Sequence, residues 1–120
     1  MPSKNPVQRL SDILENIDAI QAFTASMEFD AFKSDRKTVY AVVRALEIIS
    51  EASRRLPDEI KHRYPAIDWT AVASAGNIYR HEYEGVDERL IWHTIRYGLD
   101  ALRDLATTEL NRWPGTSPTT

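Results

Sequence analysis

Apolar positions along the 120-residue chain recur at spacings of three and four, and no stretch alternates polar and apolar residues in the period of a strand. The pattern predicts four substantial helices and short connectors. The first starts at Asn5-Pro6, an N-cap followed by proline at the first helical position, and carries Leu10, Ile13, Leu14, Ile17, Ile20 and Phe23 as one buried stripe. Met27 to Ser34 reads as a linker with room for a helical turn that sets Phe29 and Phe32 on one side. A second long helix runs from about Arg36 to Leu56, capped by Asp35, with the stripe Val39, Val42, Val43, Leu46, Ile49, Ser53 and Leu56. Pro57-Asp58-Glu59 opens a short helix that stops at Tyr64-Pro65, because the residue before proline avoids the helical region.

Asp68 caps the third long helix, and Ile67 before it can pack on Val72 as a hydrophobic staple. The same device recurs at Val86-Asp87, with Ile91 in the matching position. The last helix carries Ile91, Ile95, Leu99, Leu102 and Leu105 and ends near Trp113-Pro114. The expected fold is all-α: an antiparallel four-helix bundle with short connecting helices, in a single domain over residues 1–113. Residues 114–120, PGTSPTT, lack a core-forming pattern and read as a disordered tail.

Composition narrows the functional classes. A net charge of -3, with 15 basic against 18 acidic residues, argues against coating nucleic acid through bulk charge, yet leaves room for a site that handles one phosphate. Cysteine is absent, which excludes disulfides, thiolate metal sites and thiol nucleophiles. No apolar run approaches a membrane span, and the polar start MPSKNPVQ is no secretory signal, so the expected location is cytoplasmic, without membrane association. No glycine-rich phosphate loop or nucleotide-binding fingerprint is present.

The densest chemistry lies in SAGNIYRHEYEGVD, residues 74–87. His81 has a structural explanation, capping the carbonyls at a helix end, and a chemical one, acid–base work near neutral pH. Arg80 could equally be a solvated cation, and Tyr83 a bundle-edge aromatic. Asn77 and His81 are four apart and share a helix face, while Gly76 removes a side chain beside them. Together these types could hold a phosphate and move a proton, as phosphodiester cleavage by an RNA 2′-hydroxyl requires. Glu47 and Glu51, four apart, lack any Glu-x-x-His or His-Glu-x-x-His companion and read as solvated or partner-facing acids. Asp35-Arg36-Lys37-Thr38 is most simply a helix start whose Arg36 and Lys37 could lend cations to a site. His62 and His93 read as surface residues, and Trp69 and Trp92 as packing or interface residues.

The runs DILENIDAIQAF, FKSDRKTVYAVVRALEIISEASRRLP and RYPAIDWTAVASAGNIYRHEYEGVDERLIWHTIRYGLDAL resemble the HepT-like branch of the HEPN domains, over roughly residues 8 to 106. DRKT, ALEIISEA, Tyr-Pro-x-Ile-x-Trp and His-x-Tyr followed by GVD carry the resemblance. It implies a helical, usually dimeric toxin of a toxin–antitoxin pair that acts as a metal-independent endoribonuclease without cofactor. It also implies RNA as substrate and a minimal nucleotidyltransferase antitoxin as partner. In studied pairs of that family the antitoxin can transfer AMP to the motif tyrosine. The family motif, arginine, four residues, histidine, one residue, tyrosine, places the histidine on His81 and the tyrosine on Tyr83. The position of the motif arginine holds Gly76, and the asparagine that often follows it is present as Asn77. The resemblance implies His81 as a catalytic residue with Asn77 beside it; Arg80, one turn along the helix from Gly76, could take over the missing arginine's role and complete a catalytic set of His81, Arg80 and Asn77, or a cation could come from the second subunit. Tyr83 would contact substrate and receive the modification. The alternative is a catalytically degenerate module that serves as the nucleotidyltransferase's binding partner.

Overall fold

The computed structural model describes residues 5–80 and 87–113, with residues 76–80 described by their helical backbone alone. Among the described residues all regular secondary structure is helical: α1 Val7–Phe23, α2 Phe29–Ser34, α3 Arg36–Arg54, α4 Asp58–Arg63, α5 Trp69–Arg80, α6 Glu88–Tyr97 and α7 Asp100–Leu110. The tail expected to be disordered, residues 114–120, lies outside them.

Local chemistry sets where the long helices begin. The Asp35 carboxylate accepts hydrogen bonds from the Thr38 backbone N–H at 3.2 Å and its hydroxyl at 2.8 Å, which satisfies donors that the first turn of α3 leaves open. At α1 the Asn5 side chain accepts from Val7 N–H at 2.9 Å, while Pro6 is the capping residue just outside the helix instead of its first residue.

The helices assemble around α3, which packs against α1 on one side and α5 on the other; α1 also packs on α7, and α2 bridges α3 and α6. Leu10, Ile13, Ile17 and Ile20 of α1 meet Val42, Leu46 and Ile49 of α3 and Leu102 and Leu105 of α7 in one core. The α1 stripe is narrower than its spacing predicts. Leu14 is half-buried at its edge, and Phe23, in the last helical position, is exposed where the chain turns away. Conversely, α2 does more than link: Phe32 is fully buried, its ring centroid 5.1 Å from that of Trp92. Filling a core position from a six-residue helix pins the α1–α3 connection down.

The last long helix is not continuous. The chain breaks at Gly98-Leu99, so α6 lies on α2 and α7 lies on α1. The Thr94 hydroxyl bonds back to Leu90 O at 2.9 Å, a habit that bends helices, and Gly98 N–H closes the last bond of α6 to Thr94 O at 2.8 Å. A Cβ at Gly98 would stand 2.9 Å from that carbonyl oxygen, so glycine permits the corner.

Glu109 of α7 is wholly buried, which its surroundings in sequence do not suggest. Arg63 of α4 donates to it twice, from Nη2 at 2.7 Å and Nε at 3.2 Å; the Tyr64 hydroxyl donates at 2.8 Å, and Arg112 adds an ion pair at 3.3 Å. Burial pushes the carboxyl pKa up. The bonds from Arg63 and Tyr64, with the charges of Arg63 and Arg112, outweigh it and hold the group below its ordinary 4.5. Tyr64 also accepts at its carbonyl from Ile67 N–H and from the Trp69 indole N–H. One buried carboxylate thus fixes the corner from which α5 departs.

Two outcomes follow. Because the folded-state pKa of Glu109 is depressed, its contribution is present above pH 4.5 and is lost as pH falls through the lower folded value. Arg63→Met should cost about 2 kcal/mol near pH 7, the scale of a hydrogen bond to a charged group. Glu109→Gln should flatten the fall in stability below about pH 5 relative to wild type. Urea melts over a pH series measure both. Gly98→Ala should destabilise by about 1 kcal/mol, as the clash with Thr94 O outweighs the entropy that alanine saves in the unfolded chain.

Candidate functional site

The candidate motif straddles the end of α5 and the stretch before α6. Gly76, Asn77 and Arg80 fall on the last turns of α5. His81 and Tyr83 lie outside the described residues, as does Val86 of the second expected staple. What the structure defines is the frame on either side.

On the incoming side, Asp68 caps α5, its side chain accepting from Ala71 N–H at 3.0 Å while its carbonyl accepts from Val72 N–H at 3.0 Å. Ile67 and Val72, the expected staple pair, are both half-buried against the core. The flank of α5 is held to α3 by two polar bonds that the sequence did not single out. The buried Ser50 hydroxyl donates to Val72 O at 2.8 Å, and the Arg54 guanidinium donates to Ala73 O. Each uses a carbonyl of α5 as a fixed acceptor, and so locks the helix against sliding or rotating on α3 just before the motif turns. The available signal was Ser50 and Ser53 within an otherwise apolar stripe; Ser53 is buried too, its hydroxyl without a partner among the described residues.

On the outgoing side, Asp87 caps α6: its carboxylate accepts from Leu90 N–H at 3.1 Å and its carbonyl from Ile91 N–H at 3.0 Å. Ile91 is fully buried. The segment between His81 and Val86 is therefore framed by one helix tied to α3 and another that starts on a cap and a core anchor.

The other residues singled out in the sequence fall elsewhere. Arg36 and Lys37 are exposed in the first turn of α3. Arg36 donates to the Tyr40 hydroxyl at 2.6 Å and sits 5.5 Å over its ring, and among the described residues neither cation makes a hydrogen bond or ion pair to α5. Glu47 pairs with Arg44 at 3.3 Å, and Glu51 with Arg54 and Arg55 at 2.6 Å each. Hydrogen bonds from Arg54 and then Arg55 hold the Glu51 carboxyl below its ordinary range. These acids are surface ion-pair partners, and no group of three or more acidic or histidine side chains among the described residues is arranged to hold a metal. Nor is any described helix long and apolar enough to cross a membrane. His62 and His93 are exposed, as expected.

The chain matches the family described as ribonuclease HepT-like over residues 13–108, which takes in every helix from within α1 to within α7 and the whole motif segment. It is 42% identical over 94 residues to a protein of Thermococcus cleftensis named "Probable ribonuclease HepT", covering 78% of this chain and 86% of that one. It is 40% identical over 95 residues to a "Putative RNase" of Methanocaldococcus jannaschii, covering 79% and 78% of the two chains. A "Putative RNase" of Caldanaerobacter subterraneus is 35% identical over 92 residues, covering 77% and 82%. No solved structure matches the chain. On the family match and these relatives, the chain belongs to the ribonuclease HepT-like family.

Proposed function

We propose that this protein is a HepT-like toxin: a metal-independent endoribonuclease of the cytoplasm that cleaves RNA by attack of a 2′-hydroxyl, working as a homodimer. The observation that carries the proposal is the family match across residues 13–108, with His81-x-Tyr83 in the motif position and relatives named as ribonucleases. His81 takes the proton of the 2′-hydroxyl, or gives one to the departing 5′-oxygen. The 2′-oxygen bonds to phosphorus as the bond from phosphorus to the 5′-oxygen breaks, leaving a 2′,3′-cyclic phosphate and a 5′-hydroxyl. Arg80 neutralises charge that develops on the phosphate, and Asn77 orients it. Tyr83 contacts the substrate and receives AMP from a minimal nucleotidyltransferase antitoxin, which silences the enzyme. Two motif segments facing each other across the dimer form one cleft, to which Arg36 or Lys37 can add cations.

Expression in cells tests the central role. Wild type should fragment cellular RNA and slow growth, and His81→Ala should reduce both by about a hundredfold or more; identical RNA patterns and growth for the two proteins would sink the proposal.

Gly76 favours a second reading. A cation at a phosphoryl centre contributes several kcal/mol, and the family's arginine is missing from that position. In the second reading the chain is a degenerate module that binds its nucleotidyltransferase. If Arg80 substitutes, Gly76→Arg should leave the cleavage rate within a few-fold of wild type. A large gain from an undetectable baseline, read on a labelled oligoribonucleotide, would establish the degenerate module instead.

A further inference from the structure

Among the described residues the arginines of α6, like Arg36 of α3, lie over aromatic rings and make no ion pair. Every ion pair among the described residues joins side chains of α1, α3, α4, α7 or the residues just after a helix, and none reaches α6. The arginines of α6 lie on aromatic rings instead. The guanidinium carbon of Arg89 is 4.5 Å from the centre of the Phe29 ring, and that of Arg96 is 5.4 Å from Trp92. His93 and Tyr97 stack at 5.0 Å, and Tyr97 is 75% exposed.

Arg89, His93, Arg96 and Tyr97 follow the spacing i, i+4, i+7 and i+8, which gathers them into one stripe about 12 Å long. All four are exposed. A guanidinium held over a ring by a cation–π contact still has N–H donors to offer phosphate oxygens. An exposed tyrosine beside it offers a face for a base, and stacking on such rings tolerates any sequence. Glu88 and Asp87, the carboxylates at the start of α6, lie beyond the Arg89 end of this stripe, and Asp87 is occupied in capping the helix.

The geometry points to the outer face of α6 as a binding surface for single-stranded RNA, in which Arg89 and Arg96 hold phosphates and Tyr97, backed by His93, stacks a base. The inference rests on the ribonuclease reading above for its choice of polyanion. It adds where the strand lies: along α6, the helix that follows the motif segment in sequence. Cations that have no carboxylate partner among the described residues, in a chain whose net charge is -3, complement a polyanion better than the mixed surface of a partner protein.

The test uses fluorescence anisotropy with a labelled, fully 2′-O-methylated oligonucleotide, which cannot be cleaved through the 2′-oxygen. Arg89→Gln/Arg96→Gln should weaken binding at least tenfold at 0.1 M salt and make the slope of log K against log salt shallower by about 1.4, the release expected for two phosphate contacts. Tyr97→Ala should weaken binding about five- to fiftyfold with the slope unchanged, a split that partial unfolding would not produce. Arg55→Gln/Arg103→Gln, which removes two carboxylate-paired cations away from α6, should stay within about twofold of wild type. No binding by wild type, wild-type affinity and slope in the α6 double variant, or an equal loss in the control overturns the surface. A fall in oligomeric state of the α6 variant with RNA affinity intact also overturns it, and assigns the face to a protein contact. Because the probe cannot be cut, absent cleavage of ordinary RNA by wild type would remove the ribonuclease reading while the binding result still stands.

Discussion

The buried carboxylate of Glu109 is the constraint on which the placement of α5 depends. An ionised group inside a helical core is tolerable only when charge and hydrogen bonds surround it, and here Arg63, Tyr64 and Arg112 supply both. Two of these partners are consecutive residues at the end of α4, so satisfying the carboxylate also fixes the corner from α4 to α5. The Tyr64 carbonyl carries the constraint one step further by accepting from the Trp69 indole at the start of α5. The Tyr-Pro-x-Ile-x-Trp motif is thus a joint, with tyrosine bound to α7, the bend after it, and tryptophan at the first position of the helix that leads to the candidate site.

From that joint onward, the helix is held by its flank. Ser50 and Arg54 of α3 both grip carbonyls of α5, and α3 is itself the helix against which α1 packs. A helix fixed at its base and along one side delivers its last turns to a defined place, as acid–base and phosphate contacts require. The same economy appears beyond the motif, where Asp87 restarts the chain and Ile91 anchors it. The short segment that carries His81 and Tyr83 lies in sequence between these two supports.

Much of this architecture was legible because it is local. Asp35, Asp68 and Asp87 each cap the helix they precede, since a carboxylate next to open N–H groups acts within three residues. Burial followed the apolar spacing along most of α1 and α3, with Phe23 exposed and Leu14 and Val43 half-buried. The features that escaped depend on residues distant in sequence. Glu109, in the run Thr107-Thr108-Glu109-Leu110, looks like a surface acid until Arg63 arrives from 46 positions away. The break at Gly98 answers to α6 and α7 having different neighbours, which no periodicity within the run encodes. At the site, residue types and their order could be read from the motif, including the glycine in the arginine position. The grip of Ser50 and Arg54 on α5 could not, because a serine in an apolar stripe signals burial without naming the acceptor.

Attack by the RNA's own 2′-hydroxyl, with His81 moving the proton, would leave termini that metal-dependent hydrolysis does not. The most direct measurement is mass spectrometry of the termini formed when the purified protein is incubated with an oligoribonucleotide in excess EDTA. The account predicts fragments ending in a 2′,3′-cyclic phosphate paired with fragments starting at a 5′-hydroxyl, and neither from His81→Ala. Intact RNA with the wild-type protein, or the same termini at the same rate from His81→Ala, would contradict it.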